Sequence, residues 1–131
     1  MMLRICFLTL LLLVSIAHAG DVKIVSAEFN KNHNNTWNID VTLKHADTGW
    51  EHYADNWRIV DSKGKVLGNR VLYHPHVDEQ PFTRSLSNIT FSGTTSAIYV
   101  EAHDSKHGWT KNRLKIDLNK AADGKLKVES N

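Results

Sequence analysis

Short segments in which apolar and polar residues alternate with period two are the feature that most constrains this fold. The clearest runs from Trp37 to Lys44, where Trp37, Ile39, Val41 and Leu43 share one face. Alternation of this length predicts a half-buried strand. Because no stretch keeps a helical period, the chain is predicted to be all-β. Further short strands are expected within 21–29, 57–60, 66–73, 86–91, 97–103 and 114–118.

Seven short strands separated by turns predict an antiparallel β-sandwich of the immunoglobulin or fibronectin type. Trp57, on the third strand, suits the buried tryptophan of such sandwiches. The sixth strand, with Ile98, Val100 and Ala102 on one face, resembles the corresponding fibronectin type III strand, although Ile98 stands where that family usually has tyrosine. Residues 74–83 contain both prolines and are expected to form a crossover between strands.

The first residues have the pattern of a secretory signal peptide. Arg4 precedes an apolar run at 5–16, and small residues follow. An apolar run of this length is short for a membrane span, so an uncleaved anchor is the less favoured alternative. The predicted organisation is a signal peptide at 1–19, a sandwich domain at 20–119 and a C-terminal tail or short hairpin at 120–131. The mature protein is therefore expected to be periplasmic or secreted, with no membrane span.

The cleavage site has chemical consequences. Cleavage after Ala19 fits the small-x-small rule best and leaves Gly20 first. Cleavage after Ala17 also fits and would leave His18 at the N-terminus, where the amine and the imidazole together could bind one copper ion. We favour the Gly20 start.

Composition excludes several classes of function. Lys and Arg number 16 against 14 Asp and Glu, and no basic run suggests nucleic-acid binding. The single cysteine, Cys6, and both methionines, Met1 and Met2, lie in the predicted signal peptide, so disulfides and sulfur ligation of Cu(I) are excluded from the mature chain. The sequence has no nucleophile elbow, no His-Glu-x-x-His motif and no phosphate-binding loop. No catalytic residue is assigned, and the protein is not expected to be an enzyme.

Two strings carry a narrower resemblance. Residues 49–55 read GWEHYAD and residues 74–84 read HPHVDEQPFTR. Both are similar to segments of small exported bacterial proteins of uncharacterised function. The resemblance implies a bacterial, exported setting and no particular activity.

The histidines of the mature chain are expected to gather at one end of the sandwich. The loops after the second, fourth and sixth strands emerge at the same end of such folds. Only His33 belongs to a loop at the other end. The three loops and their flanks contain His45 and His52, His74 and His76, and His103 and His107.

Imidazole nitrogens together with carboxylates suit Zn(II), Cu(II) or Ni(II). The predicted ligands are His74, His76, His103 and His107, with His52 as a fifth candidate. His45 continues the inward phase of the second strand, so it is expected to close the core rather than to bind metal. The carboxylates that could orient the imidazole rings are Asp55, Asp78, Glu79 and Asp104.

Three functions are consistent with these observations. The first is carriage or sequestration of one Cu(II) or Zn(II) ion by the histidine cluster. The second is an interaction module that binds another exported protein or a glycan through Trp50, Tyr53 and Trp109. In the alternative, Trp50 and Trp109 only cap the end of the core. The third is a structural domain without a ligand.

Overall fold

The computed structural model describes residues 21–131. The predicted signal peptide and both candidate cleavage sites therefore lie outside the described residues. Within the described part, the chain forms nine β-strands and one turn of 3-10 helix at Leu118–Lys120. The strands are β1 (Lys23–Lys31), β2 (Trp37–Lys44), β3 (Ala54–Asp61), β4 (Val66–Val71), β5 (Phe82–Ile89), β6 (Ala97–Asp104), β7 (Gly108–Trp109), β8 (Leu114–Asp117) and β9 (Lys125–Glu129).

The strands build two antiparallel sheets. The first has the order β5-β2-β1-β9, and the second has the order β4-β3-β6-β7, with β8 also paired to β6. β7 and β8 pair with successive parts of the same edge of β6. The prediction of an all-β sandwich is confirmed. The additional strands are the two-residue β7, in the expected loop after the sixth strand, and β9.

The core lies between the two sheets and follows the predicted alternation. Trp37, Ile39, Val41 and Leu43 are all buried, whereas the residues between them are partly exposed. Trp57 on β3 is fully buried. The same sheet, the second, contributes the inward residues of β6 and β8, which are Ile98, Val100, Ala102, Leu114 and Ile116.

Strand β5 begins earlier than the alternation predicts. The sequence places Phe82 in the crossover because Pro81 precedes it, but Phe82 already pairs with Leu43 of β2 and is buried. A proline at the residue before a strand removes no ladder hydrogen bond. The crossover is therefore shorter, and it brings residues 72–81 against the other loops at this end.

Strand β9 covers the edge of β1. Lys31 donates its backbone N–H to Gly124, and Ala27 pairs with Val128 in the antiparallel ladder. Leu126 and Val128 pack against the core. Part of the segment predicted to be a tail or hairpin thus completes the first sheet. In residues 21–131, the three-residue 3-10 turn is the only helix, so none is long enough to cross a bilayer.

Candidate metal-binding site

Two of the three histidine-bearing loops meet at Asp47, whose side chain is entirely buried. Oδ1 of Asp47 accepts the backbone N–H of Ala54 at 3.0 Å, and Oδ2 accepts that of His76 at 2.8 Å. Oδ1 also lies 2.6 Å from Nδ1 of His45. One carboxylate therefore joins the β2–β3 loop to the start of β3 and to the β4–β5 loop.

The contact with Asp47 determines which nitrogen of His45 is free. A carboxylate that already accepts two backbone N–H groups acts as an acceptor, so Nδ1 of His45 carries the hydrogen. The lone pair is then on Nε2, which is buried and has no hydrogen-bond partner. A histidine held by a carboxylate through one nitrogen, with the other free, is the arrangement found in metal-ligating histidines.

His52 is placed by a tight turn. Its backbone N–H donates to the carbonyl of Gly49, and its carbonyl accepts the N–H of Thr48. Gly49 has φ of 146°, which a residue with a side chain rarely adopts. The turn points His52 inward, with its ring centroid 4.8 Å from that of His45.

Asp104 closes the group from the other sheet. It is the last residue of β6 and pairs with Ala54 of β3, so it sits directly under the β2–β3 loop. Oδ1 lies 3.2 Å from Nε2 of His52. Burial acts to raise the pKa of Asp104, but the backbone N–H groups of His107 and Lys106 outweigh it and hold the pKa below the usual value. The carboxylate is therefore ionised at neutral pH.

His45, His52 and Asp104 form a buried group with one ligand atom each, all within 4.8 Å of one another. Two ligands on a tetrahedral zinc ion, each about 2.0–2.1 Å from the metal, lie about 3.3 Å apart. The 3.2 Å between His52 and Asp104 already matches this separation. The group could hold a metal ion.

The charge of the region also favours a cation. The side chains of Asp47 and Asp104 are 0% and 1% exposed, and only histidines lie within ion-pair distance of them in residues 21–131. Buried carboxylates are costly unless they are paired or coordinate a metal. A divalent ion between His45, His52 and Asp104 would balance both negative charges.

The structure brings His52 and His107 of the predicted ligands to this cluster. The ring of His107 lies 5.0 Å from that of His52, and its Nδ1 lies 3.1 Å from Oδ2 of Asp104. Asp21, Asp104 and His107 form a second group of donor atoms within 4.8 Å of one another. Asp104 belongs to both groups.

His74 and His76 lie together but outside both groups. Their ring centroids are 4.7 Å apart, and the ring of His76 stacks on Phe82 at 4.1 Å. The guanidinium of Arg84 donates to Nε2 of His76 at 2.9 Å. A fixed cation at this nitrogen occupies its lone pair and opposes a metal ion. Arg84 also pairs with Glu79, with Nη1 and Oε1 3.1 Å apart.

His103 faces the outer side of the second sheet. Its Nδ1 contacts the carboxylate of Asp55, and its ring packs edge-on against Trp109 with centroids 4.9 Å apart. It too is outside both donor groups. Its position follows from the alternation of β6, in which Ile98, Val100 and Ala102 point inward.

The three aromatic residues of the interaction hypothesis differ in exposure. Trp50 is 67% exposed and packs edge-on against Tyr53 at 5.6 Å. Trp109 is half-buried, with the guanidinium of Arg58 lying 3.7 Å above its ring. Trp50 is therefore available for contact with another molecule, while Trp109 packs within this protein.

Sequence reasoning did not assign Asp47 to the cluster, and it did not include His45 among the candidate ligands. A signal was present in the strand phases. His45 continues the inward phase of β2, and Asp104 continues that of β6. Two polar residues at inward positions, at the same end of two strands in different sheets, predict a buried polar contact between the sheets.

No protein-family model matches the chain, and no solved structure matches it. The chain is similar to a protein of Halomicrobium mukohataei named "Putative lipoprotein", with 38% identity over 84 residues. The alignment covers 64% of this chain and 41% of the relative. The chain thus spans less than half of the length of that relative.

Proposed function

We propose that this is an exported protein that binds a Zn(II) or Cu(II) ion through His45, His52 and Asp104, for carriage or sequestration. The observation that carries the proposal is Nε2 of His45, which is buried, has no partner and is held by the contact of Nδ1 with Asp47. An orphaned buried acceptor is costly in an apoprotein and is satisfied when a metal ion binds.

Each residue has a distinct part in this function. His45 and His52 supply neutral nitrogen ligands, and Asp104 supplies a charged oxygen. Borderline metals such as Zn(II) and Cu(II) suit this set, whereas Ca(II) and Mg(II) prefer oxygen ligands alone. Three protein ligands leave a position for water or for a ligand of the protein that delivers the metal. We assign binding rather than catalysis.

Two observations support an exported setting. Residues 1–19 have the pattern of a signal peptide. The similar protein of Halomicrobium mukohataei has the name "Putative lipoprotein". An ion held away from the cytoplasm fits a role in metal carriage or sequestration.

The test is titration of untagged mature protein with zinc or copper, read by native mass spectrometry and by calorimetry. We expect His45→Gln and His52→Gln to weaken binding by at least about 100-fold, because loss of a ligand exceeds the 10- to 100-fold effect of losing an orienting partner. His33→Gln and His103→Gln are matched controls outside the cluster, and both should bind like the parent. Circular dichroism of each variant without metal shows whether it is folded.

His74→Ala separates this assignment from the ligand set predicted from the sequence. His74 is exposed, so its replacement should leave the fold intact. Binding that is lost in His74→Ala but retained in folded His45→Gln would overturn the proposal.

A second candidate function is favoured by the exposure of Trp50. In this alternative, the indole ring and Tyr53 contact a protein or a glycan of the cell envelope. Such binding would persist in the presence of a chelator and would be lost in Trp50→Ala. Loss on chelation would instead assign the binding to the metal cluster.

A further inference from the structure

We propose that Asp104 bridges two metal ions, one in the buried group of His45 and His52 and one in an outer group with Asp21 and His107. The inference rests on the proposed function, because the inner ion is the one assigned above. It adds a second site, a stoichiometry and a route by which metal enters.

The two oxygens of Asp104 face different histidines. Oδ1 lies 3.2 Å from Nε2 of His52, and Oδ2 lies 3.1 Å from Nδ1 of His107. The donors of Asp21 and His107 meet Asp104 within 4.8 Å but do not join the group of His45 and His52. A single ion cannot contact all five residues in this arrangement. A carboxylate with one oxygen toward each group is the usual bridge in two-metal sites, where the ions are about 3.5–4 Å apart.

The carboxylate of Asp104 is fixed in this orientation before metal binds. Its side chain is 1% exposed, and the backbone N–H groups of Lys106 and His107 donate to Oδ1 at 2.8 and 2.7 Å. These two bonds hold the plane of the carboxylate between the histidines. Oδ2 accepts only from the ring of His107, so this oxygen has the greater capacity for an additional ligand.

Charge makes the outer group suitable for a second cation. The inner ion brings two positive charges, balanced by Asp47 and Asp104. Asp21 adds a further carboxylate at the outer group, which offsets part of the charge of a second ion. Two divalent ions this close together repel each other. Without the carboxylate of Asp21, no additional negative charge at the outer group would offset this repulsion.

Binding of metal through Nδ1 of His107 needs one rearrangement of a hydrogen atom. Nδ1 of His107 contacts an ionised carboxylate and donates to it in the free protein. The hydrogen must move to Nε2, which is the other neutral tautomer, before Nδ1 can bind metal. The net charge of the ring does not change.

The two groups differ in access. His45, His52 and Asp104 are all buried, whereas Asp21 and His107 are exposed. A metal ion from solvent therefore meets the outer group first. The outer ion exchanges rapidly with solvent, and the inner ion is released slowly.

The experiment counts ions in untagged mature protein by native mass spectrometry during titration with Cu(II). The parent is expected to bind two ions, the second more weakly. Asp21→Asn and His107→Gln should each bind one ion, with the affinity for the first ion close to that of the parent. Asp78→Asn and His33→Gln are matched exposed controls and should still bind two.

Electron paramagnetic resonance gives a second readout that loss of folding would not imitate. Two Cu(II) ions joined by one carboxylate are magnetically coupled, so the signal per copper should fall when the second equivalent is added. In His107→Gln the signal should stay that of an isolated ion. Two uncoupled ions would overturn the bridge.

The outcomes separate the two proposals. A parent that binds one ion, unchanged in Asp21→Asn and His107→Gln, overturns the two-ion site and leaves the proposed function standing. A parent that binds one ion and loses it in His107→Gln also overturns the two-ion site, because His107 is then a ligand of the single site. A folded parent that binds no ion overturns both.

Discussion

At the scale of single residues, the position of the histidines depends on Asp47. Its two oxygens accept the backbone N–H groups of Ala54 and His76 and contact the ring of His45. These groups come from three separate parts of the chain. Asp47 is therefore a positioning residue that holds His45 and is not itself one of the proposed ligands.

Asp47→Asn tests this role. The amide keeps one acceptor oxygen but places an NH₂ group against a backbone or ring N–H that also donates. We expect the affinity for zinc to fall about 10- to 100-fold and the free energy of unfolding of the metal-free protein to fall by about 1–3 kcal/mol. Calorimetry and urea unfolding measure the two effects.

Asp78→Asn, an exposed change of the same kind in the neighbouring loop, is the control and should alter neither quantity. Asp47→Asn could lose stability and still bind zinc like the parent. That result would show that Asp47 supports the loops and does not position His45.

The residues of the site were predictable only in part. The sequence indicates that His52 and His107 belong to loops at one end, and it gives Asp104 as a nearby carboxylate. It cannot show that Arg84 contacts His76, because this contact depends on how the crossover folds back onto β5. The same holds for Asp47, whose role depends on backbone donors distant in sequence.

At the scale of elements, β9 is held by the turn at Gly124. This residue has φ of 71°, and a Cβ added there would lie 3.2 Å from Cβ of Lys31 on β1. Leu126 and Val128 of β9 cover the edge of the core. The turn thus fixes how the last strand meets the first.

Gly124→Ala should destabilise the protein by about 1–3 kcal/mol, because a left-handed backbone is costly for a residue with a side chain and the new methyl group crowds Lys31. Gly64→Ala has a similar φ of 82° with open space around it, so it should lose less. Gly93→Ala has neither problem and should be neutral. Thermal unfolding measures the series; equal losses for Gly124→Ala and Gly64→Ala would show that the contact with Lys31 is unimportant.

Strands with clean alternation were predicted well, and strands defined by their partners were not. β2 is explained by its own pattern, because its inward residues are all strongly apolar. β7 has only two residues and exists because it pairs with His103 and Asp104. β9 is rich in lysine, so its pairing with β1 is needed to distinguish it from a tail.

At the scale of the whole molecule, the stability of the fold should depend on the protonation of His76. Burial, followed by the positive charge of Arg84, lowers the pKa of His76 below its usual value of 6.5. Below pH 6.5 the unfolded chain takes up a proton that the folded protein resists. Stability is therefore fully present above pH 6.5 and declines as the pH falls from 6.5 toward the lower pKa of the folded state.

The measurement is urea unfolding with a chelator between pH 5 and pH 8, so that bound metal does not contribute. His76→Gln should be less stable at pH 8 and should show a smaller decline toward pH 5 than the parent. His33→Gln, at the other end of the sandwich, should keep the decline of the parent. A decline of the same size in His76→Gln would assign the pH dependence to other groups.

The pairing of the first and last strands has a practical consequence for how this protein is handled. Asp21 and Asn131 line the same groove, together with Asn112, and Asp21 also belongs to the outer donor group. A histidine tag fused next to Asp21 or Asn131 would lie near the outer donor group and would compete for added metal. The turns around Ser62 and Thr94 lie together elsewhere on the surface. A reporter peptide inserted there would leave the outer donor group with Asp21 and His107 accessible, so these turns are the places to attach probes or immobilisation handles.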